Sequence, residues 1–135
     1  MLETYRGVVY PWQCDMFEHQ NIQFYVAKFD EAAWQFMSMV GIATSYLKNE
    51  QRAMVAMEQN IRYYKELVAG DLVTIRAELI EVRRKSINFR LLMYNTETDE
   101  VAAEMNVIAV HMDTITRESC NFPLEIKLKL EAALD

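Results

Sequence analysis

The sequence predicts an α+β fold in which a five-stranded antiparallel sheet wraps one long helix. Three observations lead there. Ile22, Tyr25, Val26, Phe29, Ala32, Ala33, Phe36, Met37 and Val40 recur at spacings of three and four, the period of one helix face. Beyond residue 52 apolar and polar residues alternate instead, the period of a strand. The chain of 135 residues is 52 % hydrophobic and 25 % charged, the composition of a packed core rather than of disorder, and its length reads as a single domain over 1–135.

The first element, residues 5–12, is rich in aromatic and β-branched side chains and reads as a strand, limited by Pro11, which lacks a ladder N–H. Residues 14–20 (CDMFEHQ) are polar and without period, a connecting loop. The helix follows, with Asn21 as N-cap and Gly41 as stop. Its other face carries Gln23, Lys28, Asp30, Glu31, Gln35 and Ser38. Residues 42–51 read as a further helical turn and a loop. A second strand is predicted over 53–67, and the turn Ala69-Gly70-Asp71 leads into a third over 72–82. There Val73, Ile75, Ala77 and Leu79 share one face. The basic run Arg83-Arg84-Lys85 with Ser86 marks a hairpin or bulge. Ile87, Phe89, Leu91 and Met93 form the inward face of a fourth strand. Asn95 to Asp99 form a turn, and 101–112 a fifth strand. Residues 124–134 read as a short terminal helix, with Pro123 near its first turn. The expected order is strand, helix, then four strands in a meander, with open edges that favour dimerisation through paired edge strands.

A net charge of −6 argues against general nucleic-acid binding, though not against a local basic site for an anionic ligand. No segment approaches the roughly 20 apolar residues of a membrane helix, and nothing at the amino end resembles a signal peptide. Cys14 and Cys120 make no disulfide framework, and two His with two Cys offer little for a metal site. The expectation is a cytoplasmic protein without metal, membrane or nucleic-acid partner.

The segment CDMFEHQNIQFYVAKFDEAAW resembles the loop-and-helix signature of hotdog-fold acyl-CoA thioesterases of the 4-hydroxybenzoyl-CoA thioesterase type. One branch of that family reads D-x-x-G-H-x-N-N-x-x-Y followed by an aromatic and an acidic residue, and Asp15, His19, Asn21, Tyr25, Phe29 and Glu31 match it. Gly70-Asp71, the basic hairpin, and a closing Asp113, Thr116, Arg117 and Pro123 extend the similarity over nearly the whole chain. The resemblance implies hydrolysis of a small or medium acyl-CoA to the free acid and CoA, with no cofactor, in a homodimer or homotetramer. Two departures stand out: Glu18 replaces the motif glycine and Ile22 replaces the second asparagine.

The resemblance makes Asp15 the catalytic carboxylate, either nucleophile or general base on water; an Asp ahead of a helix also serves simply as a turn or dipole residue. It places the oxyanion donor at the backbone amide of Ile22, since the first N–H groups of a helix lack partners and lie at its positive end. His19 is read as a hydrogen-bond donor to the acyl carbonyl, as an orienter of water, or as a solvated loop residue. Asn21 is read as a helix cap or a substrate contact. A Cys14–His19 nucleophilic pair lacks an orienting third group. Of the remaining acids, Glu58 and Glu31, the latter is read as solvent-facing or supporting. In the family, basic residues of the hairpin contact the nucleotide end of CoA, often from the neighbouring subunit. By that likeness Arg83, Arg84, Lys85 and Ser86 bind the CoA phosphates, with Arg117 a further candidate, against the simpler reading of a solvated turn. Met37, Met39, Met54, Met57, Met93 and Met105 fill core or interface gaps. Tyr25, Phe29, Tyr63 and Tyr64 suit aromatic, aliphatic and cationic acyl groups equally. Two other activities fit this fold: an enoyl-CoA hydratase or dehydratase, and a non-catalytic acyl-CoA-binding module.

Overall fold

The computed structural model describes residues 1–134. In chain order it contains β1 (Leu2–Val8), a 3-10 turn (Pro11–Gln13), α1 (Ile22–Met39), α2 (Thr44–Asn49), β2 (Arg52–Tyr63), β3 (Leu72–Val82), β4 (Ser86–Asn95), β5 (Val101–Asp113) and α3 (Leu124–Ala132). The five strands form one antiparallel sheet in the order β1-β3-β4-β5-β2, with α1 lying across one face.

That helix starts and stops where its residues require. The Asn21 side chain accepts the Gln23 N–H at 3.1 Å, capping the first turn. Gly41 ends it at φ +119°, a conformation that side chains resist, and a Cβ there would lie 2.8 Å from Cβ of Lys129 on α3. The face turned to the sheet buries Tyr25, Phe29, Ala32, Ala33, Phe36 and Met37. The two alanines let the backbone approach closely, and Phe36 meets Phe89 of β4 with ring centroids 5.2 Å apart. Opposite them lie Val73, Ile75, Ala77 and Leu79 of β3, and Ile87, Leu91 and Met93 of β4. Sequence alternation predicted both of these faces.

The predicted meander is correct for β3, β4 and β5 but not for β2. This strand pairs with β5 at the edge of the sheet, and residues 64–71 carry the chain back past β5 and β4 to β3. The reason lies in composition. β3 turns an unbroken apolar face of Val73, Ile75, Ala77 and Leu79 to the core, as suits an interior strand, whereas β2 bears Glu58, Gln59, Asn60 and Arg62, all suited to an edge that meets water. A register shift between Ala56 and Glu58 leaves Met57 outside the ladder and 66 % exposed. β1 begins earlier than expected and ends at Val8, because Pro11 opens the 3-10 turn rather than a strand end.

Three side chains depart from the helix faces expected of them. Ile22 and Val26 are exposed although both lie in the apolar series, and Lys28 is buried although polar. Of the methionines, Met39 and Met57 are exposed while Met37, Met54, Met93 and Met105 are in the core. At the far end of the sheet His111 is buried, its Nε2 3.0 Å from the Tyr46 hydroxyl and its Nδ1 3.0 Å from the Cys120 carbonyl; burial pushes its pKa down. It joins α2 to the segment that leads into α3. Among the described residues no helix is long and apolar enough to cross a membrane.

Because Phe89 is fully buried between α1 and its neighbours, Phe89→Ala should lower unfolding stability by about 3–5 kcal/mol. A shift of the urea midpoint with unchanged slope would confirm this, and a loss under 1 kcal/mol would refute it.

Candidate active site

The loop between the 3-10 turn and α1 is closed at its neck by a bridge between Cys14 and Gln20. Inside the neck the chain makes two tight turns. The Glu18 N–H donates to the Asp15 carbonyl at 2.9 Å, and the Asp15 N–H to the His19 carbonyl at 3.1 Å. To close this small a circle Glu18 takes φ +66°, the left-handed region. The position where the resembling family has glycine therefore keeps the conformation that glycine serves, here at the cost of a side chain's strain.

The turn aims the carboxylate of Asp15 back at the helix start. Oδ1 accepts the Phe17 N–H at 2.9 Å, and Oδ2 accepts the side-chain amide of Asn21 at 3.0 Å. The Asn21 amide foremost, and then the Phe17 N–H, hold the pKa of Asp15 below the usual carboxylate value, so it is ionised at neutral pH. Each oxygen keeps lone pairs for a water or substrate. Asn21 thus caps α1 with its oxygen and holds the carboxylate with its nitrogen. The next N–H, that of Ile22, donates to nothing among the described residues, and the Ile22 side chain is 62 % exposed. A free, positively polarised amide and an ionised carboxylate therefore flank one asparagine.

His19 is paired by its Nε2 with Glu66 at 3.0 Å. The loop is anchored beside it, where the Gln20 N–H donates to the Leu67 carbonyl at 2.7 Å. Cys14 is a free thiol with its Sγ directed at the Tyr10 carbonyl, 3.8 Å away, not at His19. Tyr25 lies edge-on to Tyr63 at 5.1 Å, and Tyr63 and Tyr64 are exposed beside the loop. Phe29 is fully buried in the core, which removes it from the set of acyl-contacting aromatics. Glu31 is exposed on α1, and Glu58 is exposed on the β2 edge.

The basic hairpin stands elsewhere. Arg83, Arg84 and Lys85 are exposed at the turn between β3 and β4, with Arg83 Nε 3.0 Å from Glu81 and its N–H on the Ser86 carbonyl. β3 runs the whole way from the Asp15 end of the sheet to this turn. Eleven residues at about 3.3 Å each put the two groups on the order of 35 Å apart within one chain. Two small cavities adjoin the hairpin. One of about 130 Å³ is lined by Arg83, Ser86 and Asn88, and one of about 190 Å³ by Arg84, Phe122 and Lys127. Asp113, Thr116 and Arg117 form a tight turn after β5. There Asp113 accepts the Ile115 and Thr116 N–H groups, and Arg117 takes φ +65°.

The sequence profile of the thioesterase-like superfamily matches residues 9–130, from the approach to the Asp15 loop through most of α3. The chain belongs to that superfamily. Thioesterase-like chains similar to it include the betainyl-CoA thioesterase of Pseudomonas aeruginosa, 22 % identical over 132 residues, or 98 % of this chain and 83 % of that one. The long-chain acyl-CoA thioesterase FadM of Escherichia coli is 24 % identical over 120 residues, 89 % of this chain and 90 % of its own. Among solved structures, the hypothetical protein SAV2348 of Staphylococcus aureus in complex with CoA superposes with a TM-score of 0.88 at 18 % identity, covering 100 % of this chain and 89 % of that one. The five-stranded sheet around a long helix is thus the hotdog arrangement of thioesterase-like chains.

Sequence reading missed Lys28. Its spacing places it on the solvent face of α1, yet its ammonium reaches the loop neck, where Nζ donates to Gln13 Oε1 at 2.9 Å and to Gln20 Oε1. The one signal in the sequence is the polar pair Gln13 and Gln20 at the two ends of the Asp15 loop. With the left-handed backbone at Glu18 established, Glu18→Gly should gain about 1 kcal/mol of stability. Urea unfolding of the two proteins side by side would measure it, and a loss of stability would contradict the assigned strain.

Proposed function

We propose that this chain is an acyl-CoA thioesterase that hydrolyses a small or medium acyl-CoA to the free acid and CoA. The observation that carries the reading is the pair of groups flanking Asn21: an ionised carboxylate at Asp15 and a free helix-start N–H at Ile22. A thioester needs both, an attacking group and a donor for the oxygen that becomes negative.

In this scheme the thioester oxygen lies on the Ile22 N–H, whose contribution to the transition state is on the order of 3 kcal/mol. Asp15 attacks the carbonyl carbon directly, or takes a proton from a water that does. The thiolate of CoA then departs and takes a proton from solvent or from the protonated Asp15; on the direct route a water then hydrolyses the mixed anhydride left on Asp15, releasing the acid and restoring the carboxylate. The relatives' names, betainyl-CoA and long-chain acyl-CoA thioesterase, describe unlike acyl groups. Superfamily membership therefore supports the thioester chemistry and leaves the acyl part to the exposed side chains around Tyr63 and Tyr64.

The gap to the basic hairpin, on the order of 35 Å, is closed in this scheme by a second copy. Pairing two β2 edges antiparallel brings the Arg52 end of one strand to the Tyr63 end of the other. The partner's β3–β4 turn then arrives at the end of the sheet that holds Asp15. Exposed Val55 and Met57 on β2, and Val26 and Trp34 on α1, give this edge an apolar surface for such a contact. Arg83, Arg84, Lys85 and Ser86 would then meet the CoA phosphates across the dimer.

Asp15→Asn should lower kcat at least 100-fold while leaving CoA binding within about twofold. Thiol release from a panel of acyl-CoA esters, together with crotonyl-CoA hydration as a control, is the assay. An unimpaired variant would refute the role of this carboxylate, and hydration without thiol release would replace the reaction class. Arg84→Ala should raise KM for CoA esters about tenfold, equal to one charge-assisted contact, and leave short pantetheine esters unchanged. Equal effects on both substrates would make the hairpin a structural turn.

A further inference from the structure

We propose that Lys28 is a positioning residue for the candidate active site, its ammonium clamping the neck of the loop that carries Asp15; the proposal rests on the thioesterase reading above. Lys28 is 3 % exposed, and none of its contacts is a carboxylate: among the described residues no Asp or Glu oxygen lies within ion-pair distance. Burying an ammonium with no carboxylate in contact is unfavourable, and a methionine would fill the same space without that cost. What lysine supplies and methionine lacks is a set of directed donors. Two of them are used, on Gln13 at one side of the neck and Gln20 at the other.

From Gln13 the constraint runs directly to the chemistry. Its backbone carbonyl accepts the Asn21 N–H at 2.8 Å, and Asn21 in turn holds Asp15. Gln20 is the other post of the neck, fixed through its N–H to Leu67 and touching Met93 Sδ of β4 at 4.0 Å. Lys28 therefore sets the spacing of the two chain segments between which the Asp15 turn is suspended.

A buried clamp of this kind is sensitive to pH. Desolvation brings the Lys28 pKa down to about 8, opposed by the charges of Cys14 in the loop and Glu31 on α1; Tyr25 reaches Gln20, and Met93 is neutral. Below that value the ammonium is charged and its bonds to the two amide oxygens are charge-assisted. As pH rises through it the proton leaves and the clamp loosens.

The experiment compares wild type with Lys28→Met and Gln13→Met, the latter cutting the clamp at a half-buried acceptor and leaving the lysine in place. Two readouts are taken: kcat and KM against pH, and hydrogen exchange of the Phe17 amide without substrate. Lys28→Met is expected to lower kcat about tenfold with KM within twofold. The fall in wild-type kcat around pH 8 should vanish in Lys28→Met and persist in Cys14→Ser. Phe17 exchange should speed up at least tenfold. The double variant should be no worse than Lys28→Met alone. Unchanged kcat and exchange in Lys28→Met, or loss of the alkaline limb in Cys14→Ser, overturns the proposal. If wild type releases no thiol from any ester yet Phe17 exchange responds as expected, the clamp stands and the thioesterase reading is what falls.

Discussion

The side chain of Asn21 has two ends, and the fold depends on both. Its oxygen terminates the backbone of the long helix, and its nitrogen fixes the direction of a carboxylate six residues earlier. Neither bond is strong by itself, since a cap is worth about 1 kcal/mol. Together they make the distance between a loop acid and a helix dipole a property of one planar amide. The rest of the molecule serves that distance. The sheet gives the helix a rigid bed, and the crossover segment 64–71 gives the loop a second attachment.

Much of this was legible in residue order, for reasons that differ from element to element. The helix is visible because nine apolar positions keep one period from Ile22 to Val40, and β3 because it alternates cleanly between Val73 and Leu79. The motif points to Asp15, Asn21 and the Ile22 amide, and the fold brings the three together at the helix start. The partner of β2 was not legible, because periodicity reveals which face a strand buries but not which neighbour it pairs with. Lys28 stayed hidden for a related reason. A charged residue at a helical position reads as solvated unless its acceptors can be located, and here they come from a loop eight and fifteen residues away.

The likeness to a glycine-bearing motif is instructive at Glu18. A consensus residue names a conformation more than a chemistry, and the chain retains φ +66° without the residue that adopts it most readily. Local strain of this order is typical of loops that must aim a side chain, and it is held in place by the turns on either side. The substitution therefore touches stability at that point, and the direction of the carboxylate survives.

Suspension of the Asp15 turn from Leu67 couples two stretches of chain that are remote in sequence. Lengthening or shortening the crossover by a single residue would translate the acid relative to the helix end, so that segment is closed to insertions and deletions. Side-chain identity at Tyr63 and Tyr64 is under no such restraint. Divergence in what this scaffold accepts can accumulate through point exchanges at the rim, while the span beneath it stays fixed in length.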